Sequence, residues 1–138
     1  MLASSPFRWR HRGGLRRLTD LVEPLDFALR NTRVLARRVA VANYRGEPIP
    51  GEYAVFLREV AEATDRIAEE LEADRMASGA REPLLDLARR SSELERASAL
   101  SAEVILAQMR SILADLLAVT GLDPLAATDQ IPPFPQPS

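Results

Sequence analysis

The fold is decided by residues 104–119, VILAQMRSILADLLAV, which are apolar around well over half of a helical circumference. Two apolar stripes run side by side at helical spacing: Ile105, Met109, Ile112 and Leu116 in one, and Leu106, Leu113 and Leu117 in the other. A helix with two such stripes must be covered on more than one side, so this segment predicts the central helix of an all-α domain. Gly121 follows as a predicted left-handed C-cap.

Apolar residues at alternating three- and four-residue steps predict helices over about residues 15–43, 51–77, 82–97 and 102–120. The positions that share one face of the first helix are Leu15, Leu18, Val22, Leu25, Leu29, Thr32, Ala36 and Val39. Pro24 lies inside this pattern and is expected to kink the helix or split off its first turns. Short turns between long helices predict an antiparallel up-down bundle of three to four helices over residues 15–127.

The two ends of the chain have a different composition. Residues 1–14 include Phe7-Arg8-Trp9-Arg10-His11-Arg12 and Gly13-Gly14, which predicts a basic irregular arm. Arginines beside a tryptophan suit an anionic membrane surface. The predicted membrane-surface contacts are therefore Arg8, Trp9, Arg10 and Arg12, and a solvated linker is the alternative. Residues 128–138 contain four prolines, which predicts a disordered proline-rich C-terminal tail.

Composition narrows the functional classes. The 138 residues have a formal net charge of −2, which argues against nucleic acid as a partner. There is no cysteine, so disulfides, thiolate metal sites and thiol nucleophiles are excluded. No window holds about 18 consecutive apolar residues, and we therefore expect the chain taken alone to be soluble.

The titratable residues do not indicate catalysis. His11 is the only histidine, which excludes a di-iron bundle built from Glu-x-x-His pairs. Glu70 with Asp74, and Glu82 with Asp86, place carboxylates one helical turn apart, the spacing found in metal-binding regulatory bundles. Acidic helices often show that spacing by chance. We therefore predict no catalytic, cofactor-binding or metal site, and a metal-binding regulatory bundle is the least favoured alternative.

Polar residues on the first and last long helices predict a structural network between them. Gln108 and Asp115 are seven residues apart on one face of the last helix, beside apolar residues, so both should be partly buried. Arg33 and Arg37 flank the apolar stripe of the first helix, and arginine pairs bidentately with carboxylate. We expect Asp115 to contact Arg33 or Arg37; otherwise it pairs within its own helix or faces water. The whole predicted network is Asn31, Arg33, Arg37, Gln108, Arg110 and Asp115.

Two segments carry a resemblance to a known family. Residues 29–38 read LRNTRVLARR, and residues 107–111, AQMRS, are followed by residues 115–121, DLLAVTG. In this order and separation they resemble the C-terminal cytoplasmic region of the fusaric-acid-resistance/aromatic acid exporter family of bacterial inner-membrane proteins. The resemblance covers about residues 5–127.

This resemblance implies a non-catalytic accessory domain at the cytoplasmic face of the bacterial inner membrane. The transporter would export aromatic or organic acids or toxic compounds, and the domain would serve its assembly or regulation. No transport residue carries over, because this sequence has no transmembrane segment. The implied partner is the transmembrane part of the same transporter. We also expect a homo-oligomer, since short helices would cover residues 104–119 incompletely. The alternative function is a free-standing helical protein-interaction module.

Overall fold

The computed structural model describes the backbone of residues 6–73 and 75–136 and the side chains of residues 18–73 and 75–136. This part of the chain is helical and contains no strand, which confirms the all-α class. The helices are α1 (Pro6–Arg45), α2 (Glu52–Glu72), α3 (Arg81–Ser91), α4 (Leu100–Val119) and α5 (Pro124–Asp129), with a 3-10 turn at Ala77–Ala80.

Helix α4 is the centre of the domain, as its sequence predicts. It contacts α1, α2, α3 and α5. Both of its apolar stripes are buried, namely Ile105, Leu106, Met109, Ile112, Leu113, Leu116 and Leu117. The helix ends where expected, because Gly121 has a left-handed φ of 105°. A side chain there would be strained and would also approach the Arg81 Nη2 atom at 3.3 Å.

Helix α1 is longer than predicted. It begins at Pro6, so residues 6–14 are helical, which corrects the expectation of an irregular arm over residues 1–14. Pro6 stands in the first turn, where the missing N–H has no helical partner. Gly13 and Gly14 cost about 0.5–1 kcal/mol each relative to alanine, which does not end a helix between strong helix formers. Pro24 also lies inside one continuous helix. The 40 residues make a rod of about 60 Å, roughly twice the length of α4.

The other helices differ from the prediction at their ends. Helix α2 ends at Glu72 rather than near Ala77, and the 3-10 turn follows with Ala77 and Ala80 buried. Helix α3 ends at Ser91 rather than residue 97, because the chain turns at Ser92. Buried Tyr53 then holds the connection to α4, since its hydroxyl donates to the Glu95 carbonyl at 2.6 Å.

The face of α1 that packs on α4 is not the stripe that the periodicity singles out. The packed face consists of Leu21, Pro24, Ala28, Asn31, Leu35 and Ala42, all buried or half-buried. The stripe residues Leu18, Val22, Leu25 and Leu29 are instead 62, 65, 37 and 56% exposed. The small side chains of Ala28 and Ala42 allow α1 to approach α4 closely, which a row of leucines would prevent.

Residues 128–136 are partly helical and partly packed against the core, which differs from the expectation of a disordered tail over residues 128–138. Thr128 and Asp129 belong to α5, and Ile131 and Phe134 pack against the core. The last two residues, 137–138, lie outside the described part of the chain.

Candidate functional site: the contact between α1 and α4

The central polar contact of the domain joins α1 to α4. Asn31 Nδ2 donates a hydrogen bond to Asp115 Oδ2 at 2.6 Å, across 84 residues of sequence. Both side chains are half-buried. Burial raises the pKa of Asp115, and the hydrogen bond from Asn31 acts in the opposite direction. The carboxylate is therefore held by a neutral amide inside a largely apolar contact.

Arg33 and Arg37 do not take the place predicted for them beside Asp115. Both are exposed on α1, next to the stripe that faces away from α4. Asn31 lies on the packed face with Ala28 and Leu35, and it is the residue that reaches the carboxylate. The structure thus brings together Asn31 and Asp115 from the predicted network and leaves the two arginines on the surface.

The remaining two predicted network residues, Gln108 and Arg110, lie earlier in α4 than Asp115. Gln108 is half-buried, and among the described residues its Oε1 atom is buried without a hydrogen-bond partner. Arg110 donates to Ser91 Oγ at 3.1 Å and to the Pro132 carbonyl. Burial lowers the pKa of Arg110, and the nearby charge of Arg96 lowers it further. Arg110 therefore joins α4 to α3 and to the C-terminal segment rather than to α1.

Phe134 holds the C-terminal segment in place, a role that sequence reasoning missed. Two guanidinium groups lie over its ring, that of Arg96 at 4.4 Å and that of Arg110 at 4.2 Å from the ring centroid. Arg96 also pairs with Glu103 of α4. The sequence feature that could have predicted this contact is the lone aromatic residue in a proline-rich segment, since aromatic rings attract the guanidinium groups of arginine. We call residues 131–134 the C-terminal strap.

Replacing Phe134 should loosen this strap. We expect Phe134→Ala to lower the free energy of unfolding by about 1–2 kcal/mol, because it removes an apolar contact and two cation–π contacts of about 0.5–1 kcal/mol each. Phe134→Leu should lose about half as much, since it keeps the apolar bulk. Urea denaturation followed by circular dichroism measures both. Equal stability of the wild type and Phe134→Ala would show that the strap contributes nothing.

Two cavities border Asp115. The smaller one, about 470 Å³, lies between α1, α4 and the strap and is lined by Asn31, Arg110 and Phe134 among others. The larger groove, about 930 Å³, lies between α1, the end of α2 and the C-terminal half of α4. Its apolar lining includes Leu21, Pro24, Phe27, Leu71, Met76, Val119 and Leu122. Its charged lining is Asp20, Glu23, Asp115 and Asp123 against Arg75. An apolar groove with excess negative charge suits an apolar cation better than an organic acid.

The two carboxylate pairs that could have indicated a metal site, Glu70 with Asp74 and Glu82 with Asp86, do not form one in the described part of the chain. Glu70 accepts a hydrogen bond from the Gly79 backbone N–H at 3.2 Å. Asp86 pairs with Arg89 and Arg90, and the hydrogen bond from Arg90 lowers the pKa of Asp86. Asp74 lies outside the described residues. Within the described part of the chain, no three histidine, cysteine, aspartate or glutamate residues are grouped to hold a metal ion.

The structure does not test the predicted membrane-surface residues. The side chains of Arg8, Trp9, Arg10 and Arg12 lie outside those described, and only their helical backbone in α1 is defined. Membrane contact by these residues stays a prediction. Among the helices of the described residues, none combines the length and the hydropathy that a membrane span requires.

Comparison with known proteins gives one informative similarity. The chain is 33% identical over 144 aligned positions to an uncharacterized protein of Corynebacterium glutamicum. The match covers 95% of this chain but 37% of the relative, so the chain spans little more than a third of that protein's length. No protein-family model matches the chain. No solved structure matches it either.

Proposed function

We propose that this chain is a non-catalytic accessory domain at the cytoplasmic face of a bacterial inner-membrane transporter that exports aromatic or organic acids or toxic compounds. One observation carries the proposal. The two segments that resemble the exporter family, residues 29–38 and 107–121, lie in α1 and at α4, which pack on each other and share the Asn31–Asp115 hydrogen bond. The segments that resemble the family are therefore also the segments that build the domain.

The proposed domain is an antiparallel, up-down arrangement of its long helices. Residues 19–27 of α1 border the same groove as residues 114–122, at the C-terminal end of α4. Asn31, further along α1, borders the smaller cavity together with Ala107 and Arg110, which come earlier in α4. This order supports opposite directions for the two helices.

The relative in Corynebacterium glutamicum supports the idea that such a domain occurs within longer chains. The region similar to this chain makes up 37% of that protein. In the proposed transporter, the membrane part would occupy another portion of the chain, and this domain would hold or regulate it.

The proposal is tested in the bacterium that encodes the chain. Removing the coding region for residues 15–127 should slow the efflux of radiolabelled benzoate or fusaric acid from preloaded cells and increase sensitivity to these acids. Wild-type coding sequence should restore both. An epitope-tagged protein should sediment with the membrane fraction. Unchanged efflux together with a protein found only in the supernatant would refute the transporter role.

A free-standing protein-interaction module is the second candidate. The observation that favours it is the row of exposed apolar residues along α1, which faces away from the domain's own core. For this candidate, the tagged protein stays in the supernatant and efflux is unchanged. The same fractionation experiment therefore separates the two functions.

A further inference from the structure

The most prominent unpartnered surface is the row of heptad positions on α1, which we call the α1 stripe: Leu18, Val22, Leu25, Leu29, Thr32, Ala36 and Val39. All seven residues are exposed. Their steps of four and three residues are the spacing of the a and d positions in a coiled coil. The stripe is about 30 Å long, three heptads. The neighbouring face of α1 already packs on α4, so the stripe is not needed to close the domain.

The residues that flank the stripe leave one side open to a partner helix. On one side lie Leu21, Ala28 and Leu35, which are already buried or half-buried in the domain. On the other side lie Asp26 and Arg33, both exposed. Asp26 forms an ion pair with Arg30 at 3.0 Å within α1, and such an exposed pair contributes little and leaves the carboxylate able to meet a second cation. A partner on the stripe would therefore meet Asp26 and Arg33, which have opposite charge and stand one heptad apart.

The order of these charges favours a second copy of the same helix in the opposite direction. When Leu25 faces Leu29 of the second copy, and Leu29 faces its Leu25, Val22 comes to lie opposite Thr32. Side chains on a helix lean toward the helix N-terminus. In an antiparallel pair, Asp26 of each copy and Arg33 of the other therefore lean toward one another, which gives two opposite-charge contacts.

We propose that the α1 stripe binds a second copy of this chain, forming an antiparallel α1–α1 seam centred between Leu25 and Leu29. A two-fold axis at that point makes the interface isologous, so a single stripe serves both partners. The proposal does not rest on the transporter assignment. It concerns the chain alone, and its test uses purified protein, so either idea can fail without the other.

The first test measures association of the purified 138-residue chain by sedimentation equilibrium. The wild type should be a dimer at micromolar concentration. Val22→Glu places one negative charge from each copy in the seam and should raise the dissociation constant of the dimer at least about 100-fold. Val55→Glu is the matched control, because Val55 is 54% exposed in α2, outside the stripe, against 65% for Val22. Circular dichroism should show the same helicity for both variants.

The second test reads the direction of the seam by cross-linking. The chain contains no cysteine, so single substitutions give unambiguous pairs. A mixture of Leu25→Cys and Leu29→Cys should form the mixed disulfide faster than either variant cross-links with itself. Fastest self-cross-linking of each variant would indicate a parallel pair and overturn the proposed geometry. A strictly monomeric wild type, or equal weakening by Val55→Glu, would overturn the seam and assign the stripe to another partner.

Discussion

Leu117→Ala is expected to lower the free energy of unfolding by about 2–5 kcal/mol, the largest effect of any substitution considered. Leu117 is fully buried on α4, the helix that the other four helices contact. Removing its side chain loses apolar burial and leaves a cavity that helices packed on several sides cannot collapse to fill. The variant should therefore shift the midpoint of urea denaturation strongly while it keeps its helical circular dichroism spectrum.

Leu100→Ala is the control for this experiment, because Leu100 is the first residue of the same helix and is 78% exposed. Its stability should change by no more than about 0.5 kcal/mol. If Leu117→Ala cost less than about 1 kcal/mol, α4 would not be the central helix of the folded chain.

Asn31→Ala is expected to lower the free energy of unfolding by about 1–3 kcal/mol at pH 7. The substitution removes the amide that donates to Asp115 and leaves a half-buried carboxylate without that hydrogen bond. Asn43→Ala is the matched control, since Asn43 is exposed on the same helix and the same side chain is exchanged for alanine. The difference between the two variants therefore isolates the contact with Asp115.

The cost of Asn31→Ala should also depend on pH. Burial raises the pKa of Asp115 above its ordinary value of 3.8, so the folded chain keeps this proton to a higher pH than the unfolded chain does. The stabilisation that accompanies the proton is complete below the ordinary value and is lost as pH rises through the raised pKa. Without Asn31 the pKa rises further and this loss grows. Asn31→Ala should thus lower the free energy of unfolding more at pH 7 than at pH 3, in each case relative to Asn43→Ala.

An equal cost at both pH values would contradict a role for the ionised carboxylate. Arg33→Ala and Arg37→Ala, at exposed positions, should each change stability by no more than about 0.5 kcal/mol. A double-mutant cycle with Asp115→Ala should show coupling to Asn31 and none to either arginine. Coupling to Arg33 or Arg37 would restore the pairing that the sequence alone predicted.

Part of the candidate site is visible in the sequence. Asn31 and Asp115 both belong to the predicted network, and partial burial of Asp115 follows from its position beside apolar residues on α4. The choice of donor does not follow. Arg33 offers charge and reach, whereas Asn31 offers only an amide. The donor is decided by which face of α1 packs on α4, and that choice is tertiary.

The Phe134 strap shows a second limit. A segment with several prolines has no periodic pattern, so sequence reasoning predicts disorder. Phe134 is placed because Arg96, before α4, and Arg110, within α4, both pack against its ring. Residues 128–136 alone do not predict these contacts, because the two arginines lie 24 or more positions before Phe134 in the sequence.

The sequence by itself determined the approximate places of the four longest helices, the central position of α4 and the glycine that ends it, because these depend on local periodicity and backbone conformation. Only the tertiary structure decided which face of α1 is covered. That helix is apolar on two neighbouring faces, and the local periodicity singles out the face that the structure leaves on the surface. The face with Ala28, Asn31 and Ala42 packs inside the chain, because small side chains let two helix backbones approach closely. The α1 stripe, whose large side chains at Leu18, Val22, Leu25 and Leu29 need a wider spacing, is left on the surface.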